Sequence, residues 1–172
     1  MRRLASTAAL AASLALASTP LATLAPAYAA PAPAQSAATA AGLHAAATIK
    51  FGNRFRYPDG LIVSISRPRL FKPSDTAVKG NEPHAVRFTV KVINKSTKNY
   101  NAPNSTSNAQ SGGAEAGAIF DTEQGIVAPP STPILPDREV TWQIAYGVQD
   151  PADIALEFTP DFNTHDTVFF TT

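Results

Sequence analysis

Cysteine is absent from this 172-residue chain, and its absence excludes several kinds of chemistry at once. Without a thiol there is no disulfide, no cysteine metal site, no thiol nucleophile and no cysteine for lipid attachment. A chain without disulfides depends on its own hydrophobic core, or on oligomerisation, for stability. No feature of the sequence specifies an oligomeric state.

The chain also lacks an uninterrupted apolar run of the roughly 20 residues that a membrane span needs. Leu4 to Leu24 is rich in alanine and leucine but is interrupted by proline, serine and threonine. Two arginines precede this stretch, and Ala27-Tyr28-Ala29 follows it. A basic start, an apolar middle and a small-x-small end are typical of a secretory signal peptide. We therefore predict a signal peptide at residues 1–29, cleaved after Ala29, and a secreted, extracellular protein that is not inserted in a membrane.

Charge of either sign is scarce, with 14 basic and 13 acidic residues in the whole chain. Removal of the predicted signal peptide takes away Arg2 and Arg3, which leaves 12 basic residues and a net charge of −1. This balance argues against a protein that binds nucleic acid or a membrane surface by overall charge. A local charged patch remains compatible with it.

Residues 30–47 are rich in alanine and proline and show no apolar periodicity. We predict a disordered linker there. From Thr48 onwards the composition changes to β-branched and aromatic residues. Residues 48–172 are predicted to form one domain, which at about 125 residues is large enough to bury a core unaided.

Two strongly alternating stretches dominate this predicted domain. In His84–Asn94 the residues Val86, Phe88, Val90 and Val92 alternate with polar neighbours. Because residues two apart in a strand face the same side, these four are predicted to point into a core. Glu139–Val148 shows the same pattern, with Val140, Trp142, Ile144 and Tyr146 on one parity.

Shorter apolar runs separated by turn residues complete the pattern. Pro58-Asp59-Gly60 has the composition of a tight turn before the strand Leu61–Ser66. Ala114–Asp121 is predicted as a weak strand, while Asn104–Gly113 is either a strand exposed on one face or a loop. Seven to nine short strands without a convincing helix predict an all-β sandwich or barrel.

Several of these motifs occur together, in this order, in a known family. They are Tyr57-Pro-Asp-Gly60, Leu61–Ser66, Phe71–Ser74, Val86–Asn94, Phe120-Asp121, Leu135-Pro136 and Val140–Gly147. The chain resembles a family of secreted Gram-positive bacterial immunoglobulin-like domains of unknown function, and is similar to the immunoprotective extracellular antigen of mycobacteria. The resemblance implies a single immunoglobulin-like antiparallel β-sandwich over residues 48–172. It implies no catalytic residue.

Candidate catalytic and metal-binding residues are few and scattered. His44, His84 and His165 lie far apart in the sequence, without the spacing of a metal site. The acidic loop Asp121–Gly125 lacks the repeat of a calcium loop. No nucleophile elbow is present, and no pattern marks a cleft with paired carboxylates. We therefore predict no catalytic residue, no metal site and no cofactor.

Basic and aromatic residues cluster early in the predicted domain. The basic residues are Arg54, Arg56, Arg67, Arg69 and Lys72, and Phe55, Tyr57 and Phe71 are interleaved with them. If their strands are neighbours, these residues form a ligand face for an anionic cell-wall polymer or a protein. The alternative is that the charges protect an exposed sheet edge.

These observations favour a secreted, non-enzymatic binding or interaction module. Its partner would be an unknown protein or a cell-wall component, and the loops Lys72–Pro83 and Asn101–Gly113 would carry specificity. One alternative is an extracellular hydrolase that acts on a cell-wall polymer, which requires a concave site with converging ionisable groups. The other is a purely structural domain.

Overall fold

The computed structural model describes residues 46–172, so the predicted signal peptide and nearly all of the predicted linker lie outside the described residues. The strands are β1 (Ala47–Lys50), β2 (Arg54–Arg56), β3 (Leu61–Ile65), β4 (Arg69–Leu70), β5 (His84–Asn94), β6 (Thr106–Ser111), β7 (Ala114–Ile119), β8 (Glu139–Val148), β9 (Ile154–Thr159) and β10 (Val168–Thr171). Helical structure in this part of the chain consists of two 3-10 turns, Ala102–Asn104 and Thr122–Gln124. No helix among the described residues is long and apolar enough to cross a membrane.

The strands follow the order β1-β10-β9-β6-β7-β8-β5-β3-β2, with β4 paired to β5. Strand β7 pairs with both β6 and β8 and so joins two layers. We call β2, β3, β4, β5 and β8 the front sheet, and β1, β10, β9 and β6 the back sheet. The neighbours β3-β5-β8-β7 and β10-β9-β6 correspond to the A-B-E-D and G-F-C orders of an immunoglobulin-like sandwich. The predicted fold class is confirmed.

Two details differ from the expected antiparallel sandwich of seven to nine strands. The described residues form ten strands, because β4 is a separate two-residue strand after Pro68 interrupts the run that begins with β3. Strand β1 pairs in parallel with β10, with Ala47 opposite Val168. Pairing between the first and last strands depends on contacts across the whole domain, which local sequence patterns do not contain.

The alternation predicted for β5 is confirmed. Val86, Phe88, Val90 and Val92 are each at most 1% exposed. Strand β8 is the hydrogen-bonded neighbour of β5 in the front sheet. Its Trp142 is also buried, as predicted, whereas Val140 and Ile144 are half-buried and pack against the same core.

Aromatic contacts join the two sheets across this core. The Trp142 ring lies 6.3 Å from that of Phe158 on β9. Phe88 lies 5.1 Å from Phe51, whose ring in turn lies 6.3 Å from Phe170 on β10. Each such pair adds to the burial energy of its members.

Strand β7 contributes to two different clusters. Ala116 packs in the main core, whereas Ile119 is buried on the outer side of the front sheet with Ala145 and Ile126. Phe120, which has the same parity as Ala116, is 56% exposed. The buried face changes along β7 because a loop, rather than the back sheet, covers its end.

The stretch Asn104–Gly113, for which strand and loop were both open, is mostly strand β6. Ala109 and Ser111 are buried in it while Gln110 is exposed. Gly112 and Gly113 then connect β6 to β7 with φ of 58° and 77°. Two consecutive residues with positive φ are the requirement of a type I′ hairpin turn.

Candidate ligand cleft

A cleft of about 560 Å³ lies at one end of the sandwich. Three connections form it: the turn between β2 and β3, residues 96–100 after β5, and the loop between β9 and β10. Its walls include Tyr57, Asp59, Lys98, Tyr100 and His165. This volume is in the range of small-molecule binding sites.

The β2–β3 turn is held by its own backbone and by Asp59. The Gly60 amide donates to the Tyr57 carbonyl at 3.0 Å, and the Leu61 amide donates to Asp59 Oδ1 at 3.0 Å. Gly60 has φ of +105°, and a Cβ there would overlap the carbonyl oxygen of Lys95. The turn therefore requires glycine at this position.

The second wall is organised by Asn94, which is completely buried at the end of β5. Its side-chain amide donates at 2.8 Å to the carbonyls of Lys98 and Ile134. Its Oδ1 accepts from the amide and the hydroxyl of Ser96. One asparagine thus fixes the path of residues 95–98.

The third wall, between β9 and β10, turns tightly around Asp161. The amides of Thr164 and His165 both donate to the Asp161 carbonyl, at 3.1 and 2.9 Å. His165 Nε2 lies 3.0 Å from Asp59 Oδ2, and its Nδ1 lies 3.0 Å from Thr164 Oγ1. His165 therefore ties the third wall to the first.

Two buried tyrosines hold the loops of the cleft in place through their hydroxyl groups. Tyr57 OH donates to the Asp166 carbonyl at 3.0 Å, and Tyr100 OH donates to the Pro160 carbonyl at 3.2 Å. Burial raises the pKa of both phenols well above the usual tyrosine range, and nearby carboxylates add to the shift. Both tyrosines therefore stay protonated and keep donating.

The ionisable groups of the cleft are mostly acidic. Asp59, Asp161 and Asp166 line it, and Lys98 is the cation on the opposite wall. Asp59 and Asp161 are engaged with neighbouring amides, whereas Asp166 is exposed. A cleft with this balance attracts positively charged and hydrogen-bond-donating ligands.

Sequence reasoning missed this cleft because its residues come from three distant segments. His165, one of three histidines scattered along the sequence, has a side chain that is only 11% exposed. His84 is exposed at the start of β5, and His44 lies outside the described residues. The turn motif Tyr57-Pro-Asp-Gly60 was the one available signal, and it indicated only a turn.

The five basic residues, for which a ligand face and a protected sheet edge were both open, do not all lie on strands in the structure. Arg54 and Arg56 lie on the outer side of β2, and Arg69 lies on β4. Arg67 lines a crevice at the sheet edge instead, and Lys72 lies in the loop after β4. Three of the five are therefore on the strands of the front sheet.

Asp121, the first residue of the acidic loop, has a structural role. Its carboxylate accepts from the amide and the hydroxyl of Ser74, both at 2.8 Å, and from Gln124. The bonds from Ser74, then those from Gln124, lower the pKa of Asp121. Within residues 46–172 no three histidine or acidic side chains are grouped closely enough to hold a metal ion.

Comparisons with known proteins identify similar folds and give no information on the cleft. No family model matches the chain, and no curated protein matches it. Solved structures do match. The yjhA protein from Bacillus subtilis is 14% identical, with 71% of this chain and 97% of that chain covered and a TM-score of 0.54.

Two further matching structures have lower scores. The secreted protein MPT63 from Mycobacterium tuberculosis is 19% identical, with 75% of this chain and 99% of that chain covered and a TM-score of 0.47. An uncharacterized β-sandwich protein from Clostridium difficile is 10% identical, with 74% and 95% covered and a TM-score of 0.45. The likeness to the yjhA protein shows a shared fold, and a fold alone does not specify an activity. The resemblance drawn from the sequence is confirmed as a resemblance of fold.

Proposed function

We propose that this protein is a secreted, non-enzymatic binding module whose end cleft takes an amine-bearing ligand, such as an amino sugar or a basic peptide of the cell wall. The observation that carries the proposal is the cleft itself, in which three connections converge and are fixed before any ligand arrives. Pre-organisation of this kind lowers the entropy cost of binding.

The rigidity of the cleft supports a binding role. The Tyr57 and Tyr100 hydroxyls and the buried Asn94 each tie one wall to a neighbouring backbone carbonyl. The contact between His165 and Asp59 closes the ring of walls. Ligand groups would therefore meet side chains that already hold their positions.

The charge of the cleft supports an amine as the recognised group. Asp166 is exposed at the rim, and Asp59 presents a side chain that is 48% exposed. A primary ammonium donates three hydrogen bonds and pairs with carboxylates. Lys98 attracts an anion, but three aspartates line the same cleft, so an anionic ligand would meet more repulsion than attraction.

The experiment is a calorimetric titration of the purified protein with diglucosamine, its diacetylated form and the dipeptide lysyl-lysine. We expect diglucosamine or lysyl-lysine to bind and the uncharged diacetylated sugar to bind at least tenfold more weakly. Asp166→Asn should weaken amine binding, while Asp153→Asn, an exposed aspartate of the β8–β9 turn, should not. Equal binding of the charged and acetylated sugars would contradict the proposal.

A hydrolase has one specific observation in its favour. Thr164, His165 and Asp59 form a hydrogen-bonded chain of hydroxyl, imidazole and carboxylate, the order that nucleophilic catalysis uses. Such catalysis also needs free donors for a developing oxyanion. The nearest backbone donors, the amides of Thr164 and His165, already bond to Asp161. We therefore favour binding. If the protein releases soluble fragments from cell walls and His165→Ala does not, the hydrolase would be favoured instead.

Secretion is a separate part of the proposal. It is supported by the signal-peptide pattern of residues 1–29. Mass spectrometry of the protein recovered from culture medium should find Ala30 as the first residue. Recovery only inside cells, with Met1 retained, would contradict it.

A further inference from the structure

A second surface, separate from the cleft, carries a concentration of arginine. On β2, Arg54 lies opposite Ser64 and Arg56 opposite Ile62. Phe55 packs against the core between them, so both arginines face outward from the front sheet. Strand β2 is the last strand of the sheet order, which places this pair at an edge.

The same outer face gains charge from β4 and β5. Arg69 lies directly opposite Arg87. Like charges in opposite positions on antiparallel strands destabilise a sheet. The Arg87 guanidinium lies 5.8 Å from the centre of the Phe71 ring, which makes this part of the face aromatic as well as basic.

Few carboxylates lie on this outer face. Glu82, from the loop before β5, lies over Gly147 of β8. Among the outward-facing residues of the front-sheet strands the carboxylate is Glu139, and it pairs with Lys91 at 2.8 Å. In the described part of the chain, none of Arg54, Arg56, Arg69 and Arg87 forms a salt bridge. A domain with a net charge of −1 thus presents one strongly basic face.

We propose that this outer face, defined by Arg54, Arg56, Arg69 and Arg87, docks a linear phosphate-bearing polymer of the cell wall. The guanidinium group matches the geometry of phosphate with two parallel hydrogen bonds. Arg54 and Arg56, two residues apart on one side of a strand, are about 6.8 Å apart along it. Such a repeat suits an extended chain of phosphates better than a single compact anion.

The spread of the arginines over strands β2, β4 and β5 favours a polymer over a small ligand. A small anion would contact only one or two of them. A polymer gains from each additional arginine and releases counterions at each contact. This proposal is independent of the cleft, because the two sites share no residue.

The test uses the purified protein and a poly(glycerol phosphate) chain, with the binding constant measured from 50 to 300 mM salt. For the unmodified protein, the logarithm of the binding constant should fall linearly with the logarithm of salt concentration. The Arg54→Gln/Arg56→Gln variant should reduce the magnitude of that slope by about two, one for each lost contact. The matched control is Lys50→Gln/Arg138→Gln, two exposed cations outside both the outer face and the cleft, which should leave the slope unchanged.

Arg69→Gln distinguishes an effect on polymer binding from an effect on stability, because the variant is expected to bind polymer more weakly and yet to be more stable. Removal of the like-charge pair with Arg87 should raise the melting temperature, while loss of a phosphate contact should weaken polymer binding. Isolated cell walls should bind the protein, and walls stripped of their phosphate polymer should bind it at least tenfold less.

Two results would overturn the proposal. One is a salt slope that is the same in the unmodified protein and in Arg54→Gln/Arg56→Gln. The other is equal binding to intact and stripped walls. If the double variant also self-associates while its polymer binding is unchanged, the arginines serve only to protect the edge strand.

Discussion

His165 Nε2 lies 3.0 Å from Asp59 Oδ2, which joins the loop between β9 and β10 to the turn between β2 and β3. The two residues are 106 positions apart in the sequence. The same imidazole also contacts Thr164 in its own wall, which orients the ring toward Asp59. The pair thereby fixes the relative positions of two cleft walls. The integrity of the cleft should therefore depend on this pair.

A double-mutant cycle tests the pair. His165→Ala and Asp59→Ala should each lower the free energy of unfolding, by about 1 kcal/mol for the histidine. Asp59→Ala should lower the free energy of unfolding by more, because Asp59 also accepts a hydrogen bond from the Leu61 amide. The coupling energy between the two substitutions, measured by chemical denaturation, should be about 0.5–1 kcal/mol. A coupling of zero would show that the contact does not join the walls in solution.

Gly60 gives a second stability prediction. Gly60→Ala places a methyl group against the Lys95 carbonyl at a positive φ, so it should lower the free energy of unfolding by about 2–3 kcal/mol. Gly113→Ala is the matched control, because Gly113 also has a positive φ but has open space around it. It should cost about 1 kcal/mol, measured by the same denaturation experiment. Equal costs would mean that the turn moves away from Lys95.

The buried strand β5 gives the third prediction. Phe88→Ala should lower the free energy of unfolding by about 3–5 kcal/mol, because it removes a fully buried ring from the centre of the core. Thr89→Ala, one residue further on the exposed side, should cost less than about 0.5 kcal/mol. Comparable losses in the two variants would contradict the inward facing of Phe88.

Asp121 predicts a pH dependence with a definite sign. Its pKa is lowered in the folded protein, chiefly by the Ser74 amide and hydroxyl. A lowered folded pKa contributes stability that is complete above the unfolded value near 4 and is lost as pH falls through the folded pKa. Ser74→Ala should raise the Asp121 pKa, measured by NMR titration of its carboxyl carbon. An unchanged pKa would mean that the hydrogen bonds from the amides alone lower the pKa of Asp121.

The sequence predicted those parts of the fold that depend on local alternation. Val86, Phe88 and Trp142 were placed in the core correctly, because period-2 patterns report which face of a strand is buried. Strand β7 was harder, since Ala116 and Ile119 are buried on opposite faces. The elements that pack on each face of β7 are distant in sequence. The sequence of the strand alone therefore does not show which face they cover at each position.

The cleft could not be predicted for the same reason. Asp59, Lys98 and His165 come together only because three connections meet at one end of the sandwich. From its local sequence, each of these residues is predicted to be an ordinary turn or surface residue. The basic residues were found because Arg54 and Arg56 are close in sequence, whereas Arg87, which lies opposite Arg69, was not included.

The central claim is that the end cleft is the ligand site, and amide chemical-shift mapping during an amine titration tests it most directly. With diglucosamine or lysyl-lysine added to the labelled protein, the amides of Asn99, Thr164 and Asp166 should shift in a saturable way. The amides of Ala152 and Asp153, at the β8–β9 turn, should not move. Shifts confined to residues outside the cleft, or no saturable shift with either ligand, would contradict the account.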